Sequence, residues 1–385
     1  MLLISFCSVA KESAAKSKNL APEATAAETG LSFRDITILE KAFIDTTPAD
    51  RKDSIPVGEL GVDSGSKAMI IKLAKEIAEG KHGRYDSLLI SHKGKLLFES
   101  YYKRGRINLA HPQASAVKGY TSLALGRAIQ MGYLTMADLD KPLISFLKDL
   151  DRTKFVEGAE KITLHKALTM HGGLNVDSDK WKELEKNPKP LKGQGLVQTL
   201  LEHTAPITEE SQTYKYGNYN PMLVMTVIDA VVPGTAKDFI KNEILDKLGI
   251  KNYSWDTHVS GLPQAGWKVS ITSRDMLKLG SVVLNKGKWN GEQLISADYL
   301  TKATSGIVKP TQDWMPENYR AGYFWYQTPI TVGDKSYNVT FAWGGGDQRV
   351  IVVAELDLTV VFTGHDGDEK LMSQVANIVL PAFVE

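Results

Sequence analysis

A serine and a lysine three residues apart are the first candidates for chemistry in this sequence. Ser115 and Lys118 lie in the run S-A-V-K, where a polar stretch gives way to a helical pattern. Three residues is just under one helical turn, so the hydroxyl and the amine would lie on one face of the helix. A partly desolvated lysine has a lowered pKa and can take the proton of a nearby serine, which leaves a nucleophilic alkoxide. A surface serine beside a solvated lysine is the alternative that the pair alone leaves open.

Two further segments offer the groups that such a nucleophile needs. Tyr216 supplies a phenol that could shuttle a proton, and Asn218 supplies an amide that could hold the lysine and a substrate carbonyl. The run W-G-G-G-D at 343–347 precedes a strand-like segment, and its glycines let backbone N–H groups approach a ligand closely. Each segment also has a purely structural interpretation, an aromatic turn for the first and a tight turn or β-bulge for the second.

The composition is that of an ordinary globular protein. The chain has 385 residues, 43% of them hydrophobic and 24% charged, with a formal net charge of +1. A chain of this length can bury a large core and form two lobes. No basic excess indicates nucleic acid, and the histidines lack the H-E-x-x-H type of spacing that binds a metal. We therefore expect a small-molecule substrate, with no nucleic acid, no metal and no cofactor.

The amino terminus suggests export. Cys7 ends the apolar run M-L-L-I-S-F-C and is the one cysteine of the chain, which excludes an intramolecular disulfide. Residues 8–29 have the composition of a flexible linker. Together these segments resemble the end of a bacterial lipoprotein signal, although a basic start is missing and Phe6 replaces a small residue. We predict a signal remnant and linker over residues 1–30, and a periplasmic or lipid-anchored protein with a membrane tether through Cys7.

The order of the predicted elements indicates the fold class. A hairpin is predicted from two apolar runs around Gly94. Helical patterns are found at 66–79, after Ser115, through most of 136–261, at 272–284 and at 372–380. Strand-like patterns are found at 322–327, 350–354 and 358–363. Strands at both ends with helices between them predict an α+β fold in two lobes. One is a mainly antiparallel sheet flanked by helices (31–118 and 265–385), and the other is an inserted all-helical lobe (119–264).

Taken in this order, the three segments resemble the serine β-lactamase and penicillin-binding-protein superfamily, in its class C-like branch. The resemblance extends over most of residues 85–385, from the hairpin S-L-L-I-S-H-K-G-K-L-L-F-E to the closing strands G-G-G-D-Q-R-V-I-V-V-A-E. It implies the β-lactamase/transpeptidase-like fold, with Ser115 as the acylated nucleophile, Lys118 as its partner in proton transfer and Tyr216 as a second general acid or base. It also implies an oxyanion hole from the Ser115 N–H and one at Gly346 or Asp347. The expected substrate-binding residues are Asn218, Trp343, Gly344, Gly345, Gly346 and Asp347.

The third of these segments, W-G-G-G-D at 343–347, is the third motif of the family, and it departs from the family pattern. Related proteins carry Lys-Thr-Gly or His-x-Gly there, whereas the glycines of this chain provide no cation to pair with a substrate carboxylate. We therefore expect a serine hydrolase, esterase or amidase, that cleaves a small uncharged acyl compound. A β-lactamase or D,D-peptidase is one alternative, with Arg349 or Lys268 as the missing cation. A non-catalytic binding protein that retains the fold is the other.

Overall fold

An eight-stranded antiparallel sheet forms the centre of the molecule and takes strands from both ends of the chain. The computed structural model describes residues 20–365 and 370–384. The strands are β1 (Phe43–Asp45), β2 (Tyr85–His92), β3 (Lys95–Tyr101), β4 (His111–Pro112), β5 (Tyr253–Trp255), β6 (Val269–Ile271), β7 (Lys288–Trp289), β8 (Glu292–Gln293), β9 (Arg320–Ala321), β10 (Tyr326–Val332), β11 (Lys335–Gly344), β12 (Gln348–Val353) and β13 (Leu358–Gly364). The order in the large sheet is β1-β3-β2-β13-β12-β11-β10-β9, and every neighbouring pair is antiparallel.

Helices flank this sheet and fill the middle of the chain. They are α1 (Lys67–Ala78), α2 (Val117–Gln130), α3 (Leu164–Leu168), α4 (Ser178–Lys186), α5 (Gly195–His203), α6 (Tyr219–Val231), α7 (Ala236–Ile240), α8 (Ser273–Leu284), α9 (Ala297–Ala303), α10 (Leu371–Gln374) and α11 (Leu380–Phe383). Helix α8 begins at its cap Thr272, whose side chain accepts from the Asp275 N–H, and it packs across β2, β12 and β13. The predicted α+β class, with a mainly antiparallel sheet flanked by helices, is confirmed.

Local chemistry explains the first hairpin. Lys93 and Gly94 join β2 to β3 with φ angles of +50° and +74°. Two successive left-handed residues match the twist of the strands on either side, which is why glycine is favoured at such a turn. Every residue of β2 is buried, so this strand carries apolar side chains on both faces instead of alternating.

A small three-stranded sheet connects the segment before Ser115 to the far part of the chain. β6 pairs with both β4 and β5, and all three run antiparallel. The prediction of an all-helical lobe over 119–264 is therefore wrong at β5, which lies inside that range and pairs with β6. Pairing with the nearby β6 overrides the local pattern here, because the partner strand supplies the backbone hydrogen bonds.

The end of the chain also differs from the prediction. A strand is predicted at 322–327, but β9 ends at Ala321 and β10 begins at Tyr326. The sequence analysis does not identify the longest strand, β11, although Tyr337, Val339 and Phe341 alternate with polar residues as in a half-buried strand. This matters for function, since β11 ends in the first glycine of the third motif.

Residues 20–30 pack on the body of the protein, so the predicted flexible linker is wrong for that part. The Ala24 N–H donates to the Asn108 side chain at 2.7 Å, and Glu28 forms an ion pair of 3.3 Å with the buried Arg106. A compositional argument misses this because the partners lie about 80 residues away. Cys7 lies outside the described residues. Among the residues that the structure describes, no helix is long and apolar enough to cross a membrane.

Candidate active site

Ser115 lies in a single 3₁₀ turn that runs directly into α2. The preceding Ala114 has a φ of +46°, a left-handed conformation that an alanine adopts only when its surroundings impose it. The buried Gln113 fixes this corner, because its N–H donates to the Val269 carbonyl at 2.8 Å and its side-chain oxygen accepts from Tyr120 at 2.7 Å. The serine is thus placed at the start of the helix by contacts on both sides.

Lys118 is buried beneath this serine, as the spacing predicted. Its side chain is 3% exposed, and its Nζ donates to Ser115 Oγ at 3.1 Å and to the Gly266 carbonyl at 3.2 Å. The Thr121 hydroxyl donates to the Ala265 carbonyl at 2.7 Å, so two hydrogen bonds join α2 to this segment. Burial lowers the pKa of Lys118 to about 7, because the low-dielectric surroundings disfavour the ammonium form. The amine can therefore accept a proton near neutral pH.

Tyr216 and Asn218 approach the same serine and lysine from the start of α6. The Lys118 Nζ lies 4.9 Å from the centre of the Tyr216 ring. Burial raises the pKa of the Tyr216 phenol, and its interaction with Ser115 offsets part of that rise. The phenol therefore keeps its proton at neutral pH. Helix α6 holds these residues because it is buried continuously from Asn220 to Ile228 in the middle of the helical lobe.

Gly266 is a site residue that the sequence analysis did not identify. A Cβ at this position would lie 2.9 Å from Asn218 Oδ1 and 3.3 Å from Lys118 Nζ. Contacts this short leave no room for a side chain, so the glycine allows the lysine and the asparagine to pack against its Cα. No local signal marks it, because it lies 148 residues from Lys118.

The three glycines of the third motif have different surroundings. A Cβ at Gly344 would lie 2.2 Å from the Gln113 carbonyl and 3.1 Å from the Ala116 nitrogen, so Gly344 lies against the turn that carries Ser115. A Cβ at Gly345 would meet nothing within 4 Å. Gly346 and Asp347 have φ angles of +79° and +65° and form the turn into β12. Gly346 faces Gly364 and His365 instead of the serine turn.

The two residues considered as substitutes for the missing cation differ in exposure, since Arg349 is buried and Lys268 is exposed. Arg349 is 0% exposed, its Nη1 donates to the Gly344 carbonyl at 3.1 Å, and its guanidinium lies 4.6 Å from the centre of the Trp343 ring. Trp343 is itself 9% exposed and covers this arginine. The Lys268 ammonium lies 4.8 Å from the Trp267 ring. The arginine therefore holds the Gly344 carbonyl from a buried position.

A second polar cluster lies next to the turn formed by Gly346 and Asp347. The buried Asp86 carboxylate accepts hydrogen bonds from His111 at 3.1 Å and from His365 at 2.6 Å. Burial alone would raise its pKa, but these two bonds lower the pKa of Asp86 to about 2. The three ligand atoms lie within 4.8 Å of one another, a spacing that a metal ion could bridge. The adjoining cavity of about 360 Å³ is lined mainly by cations, which oppose a bound metal ion; they are Arg34, Arg84, Lys103 and Arg104.

Comparisons with known proteins identify the family and the fold. Residues 71–374 match the family model described as Beta-lactamase. A class C beta-lactamase superposes with a TM-score of 0.63 at 13% identity, covering 83% of this chain and 96% of its own. A penicillin-binding protein homologue from Caulobacter crescentus gives 0.63 at 12% identity (83% and 98% covered), and a D-stereospecific amidohydrolase from Streptomyces sp. gives 0.58 at 15% (79% and 97%).

None of the curated proteins matches the chain. The structural likenesses lie between 12% and 15% identity and establish the fold. The family match is a separate finding and covers well over half of the sequence. The chain belongs to the Beta-lactamase family and is a serine hydrolase of that superfamily.

Proposed function

We propose that this protein hydrolyses an ester or amide through an acyl-enzyme on Ser115. The observation that carries the proposal is the pair of contacts made by Lys118, a buried amine with a pKa of about 7 that lies 3.1 Å from the serine hydroxyl. A base whose pKa is close to the working pH is the most effective proton acceptor. Ser115 Oγ accepts a hydrogen bond from Lys118 Nζ, and the same nitrogen lies 4.9 Å from the centre of the Tyr216 ring.

In the acylation step, Ser115 Oγ attacks the substrate carbonyl carbon and its proton passes to Lys118 Nζ. The carbonyl oxygen becomes an oxyanion in the tetrahedral intermediate. Tyr216 gives its proton to the leaving atom, the bond from the carbonyl carbon to that atom breaks, and Lys118 returns a proton to the phenolate. Water then attacks the acyl-enzyme with the same groups acting in reverse, which releases the acid and restores Ser115.

The oxyanion is best served by the N–H groups of Ser115 and Gly345. Gly344 lies against the serine turn, and Arg349 holds the Gly344 carbonyl. That carbonyl and the Gly345 N–H belong to one trans peptide and point in opposite directions. Gly345 also borders open space where a substrate can lie. This proposal replaces the expected donors Gly346 and Asp347, which lie beyond Gly345 in the left-handed turn into β12.

An uncharged acyl compound is the substrate class we propose. The glycine motif carries no charge, Arg349 is buried behind Trp343, and Lys268 lies over the Trp267 ring. A substrate carboxylate would therefore gain no charge-assisted bond from the glycines or from Arg349. The D-stereospecific amidohydrolase and the class C beta-lactamase share the fold, so an amide and a β-lactam are the substrates to compare with an ester.

The test is intact-mass spectrometry and turnover with p-nitrophenyl butyrate and a penicillin, using wild type and Ser115→Ala. We expect turnover of the ester by wild type only, with no lasting penicillin adduct. A stable penicillin adduct on Ser115, or rapid penicillin hydrolysis, would replace the uncharged-substrate proposal with the β-lactam one. Ester hydrolysis that survives in Ser115→Ala would refute the acyl-enzyme itself.

A further inference from the structure

An exposed tryptophan connects the two sides of the candidate site. Trp314 is 52% exposed, and its ring centre lies 5.3 Å from that of Tyr216 and 5.3 Å from that of Trp343. Tyr319 continues the series at 5.7 Å from Trp343. We call these four residues the aromatic row. Tyr216 belongs to the helical lobe, whereas Trp343 belongs to β11, so the row crosses from one to the other.

The segment that carries Trp314 is held firmly, although the indole is exposed. Met315 is 7% exposed and accepts a hydrogen bond of 3.8 Å at its sulfur from the Tyr214 hydroxyl. The Thr311 hydroxyl donates to the Tyr214 carbonyl at 3.3 Å. Both hydrogen bonds are made with Tyr214, two positions before Tyr216. These contacts connect the segment to the loop that carries the proton-transferring tyrosine.

An indole fixed in an exposed position is a ready surface for a flat apolar group. Apolar area that leaves water on binding contributes favourably in proportion to its size, and edge or stacked contact between rings adds to that. Trp343 and Tyr319 are buried, and Tyr216 is half-buried. Trp314 is the member with a large part of its surface still in water, so it is the member that a ligand would cover.

Because Trp314 lies beside Tyr216, the role of Tyr216 indicates which part of a substrate would contact Trp314. Under the proposed function, on which this inference rests, Tyr216 protonates the leaving atom. The leaving group must then extend past the Tyr216 ring, where Trp314 lies. We propose that Trp314 is a specificity-determining residue that binds an aromatic leaving group, so that the preferred substrates are esters or amides of aromatic alcohols or amines.

The test compares benzyl butyrate with ethyl butyrate, two esters with the same acyl group. Because both give the same acyl-enzyme, the ratio of their kcat/KM values reports acylation alone. Trp314→Ala should lower the benzyl-to-ethyl ratio by about tenfold, equivalent to about 1.4 kcal/mol. Trp314→Phe should restore most of it. Trp267→Ala removes another indole, 46% exposed and outside the aromatic row, and should leave the ratio unchanged.

An unchanged ratio in Trp314→Ala overturns the inference, and so does an equal fall in Trp267→Ala. Labelling of Ser115 by a fluorophosphonate reports the proposed function separately. Labelling with an unchanged ratio refutes the Trp314 site alone, whereas no labelling and no turnover refutes the proposed function and the inference with it. If labelled protein turns over neither ester, benzyl alcohol is titrated against Ser115→Ala with and without Trp314→Ala. Affinity at least fivefold weaker without the indole supports the site, and a smaller difference overturns it.

Discussion

At the scale of single residues, the environment of Lys118 determines the chemistry. An amine with an ordinary pKa of about 10.4 would be protonated at neutral pH and could not accept a proton from Ser115. Burial against Gly266 and α2 removes water from the amine and lowers its pKa to about 7. The carbonyl of Gly266 holds the same nitrogen in place for the transfer. The same packing therefore lowers the pKa of the Lys118 amine and fixes the position of its nitrogen.

The pH dependence of acylation follows from this environment. Only the neutral amine accepts the serine proton, so kcat/KM for p-nitrophenyl butyrate should fall about tenfold per pH unit below the Lys118 pKa of about 7. Above it a plateau is expected, which extends past pH 9 because the raised pKa of Tyr216 keeps the phenol protonated. Lys118→Arg keeps its charge and should be inactive at every pH. A flat profile between pH 5 and 8 would contradict the role of Lys118.

The same lysine should affect stability in a defined pH window. Its pKa is about 7 in the folded protein and 10.5 as the ordinary value, so the unfolded chain binds more protons between these limits. The lysine therefore destabilises the fold most below pH 7, and this cost disappears as the pH rises towards 10.5. Relative to Lys118→Met, wild type should gain at most about 1.4 kcal/mol per pH unit in that window. Urea unfolding at pH 7, 8 and 9 measures the difference in free energy of unfolding between wild type and Lys118→Met. A difference that is the same at all three pH values would show that the pKa of Lys118 is not lowered in the folded protein.

At the scale of elements, the contact between β11 and the serine turn brings the site together. Gly344 ends β11 and meets the backbone of Gln113 and Ala116, and Arg349 on β12 holds its carbonyl. Ala342, two residues earlier on the same strand, lies next to Gly119 of α2. Small residues at these positions let the strand and the helix approach closely. The distance between the nucleophile and the glycine motif depends on this contact.

Two glycine variants test that contact as a matched pair. Gly344→Ala places a methyl group 2.2 Å from the Gln113 carbonyl oxygen, so the strand must move away. We expect a loss of about 1–3 kcal/mol in the free energy of unfolding, as for other overpacked positions, with much slower fluorophosphonate labelling. Gly345→Ala meets nothing within 4 Å and should unfold like wild type in urea. Equal stabilities of the two variants would show that the strand does not press on the serine turn.

At the scale of the whole molecule, the sheet depends on both ends of the chain. The strands β1 to β3 lie before residue 102, and β10 to β13 lie after residue 325. Residues 20–30 add a further contact through Glu28 and the buried Arg106. An arginine that loses this partner keeps its charge in a buried position, which is costly.

Two truncated proteins measure what the 20–30 segment contributes. A chain that begins at residue 31 should be less stable than one that begins at residue 20, by about 1–3 kcal/mol, because the hydrogen bond and ion pair to Arg106 and Asn108 are lost. The midpoint of urea unfolding gives the difference. Identical midpoints would show that the segment packs without stabilising the protein. Arg106→Met in both chains removes the ion pair and should narrow the difference.

The sequence predicted what depends on local geometry. The distance between Ser115 and Lys118 follows from helical spacing, and the first hairpin follows from the turn at Gly94. The role of Gly266 could not be predicted, because it depends on packing against Lys118, 148 residues away in the chain. The linker prediction failed for residues 20–30 for the same reason. Composition describes a segment alone and carries no information about Arg106.

The most direct test of the account is the site and rate of fluorophosphonate labelling. Wild type should gain one covalent adduct, which peptide mapping places on Ser115. Ser115→Ala should gain none, and Lys118→Met should react at least about 100-fold more slowly, since a positioned base contributes 10²–10⁴-fold. An adduct on another residue, or labelling of Lys118→Met at the wild-type rate, would contradict the proposed Ser115–Lys118 mechanism.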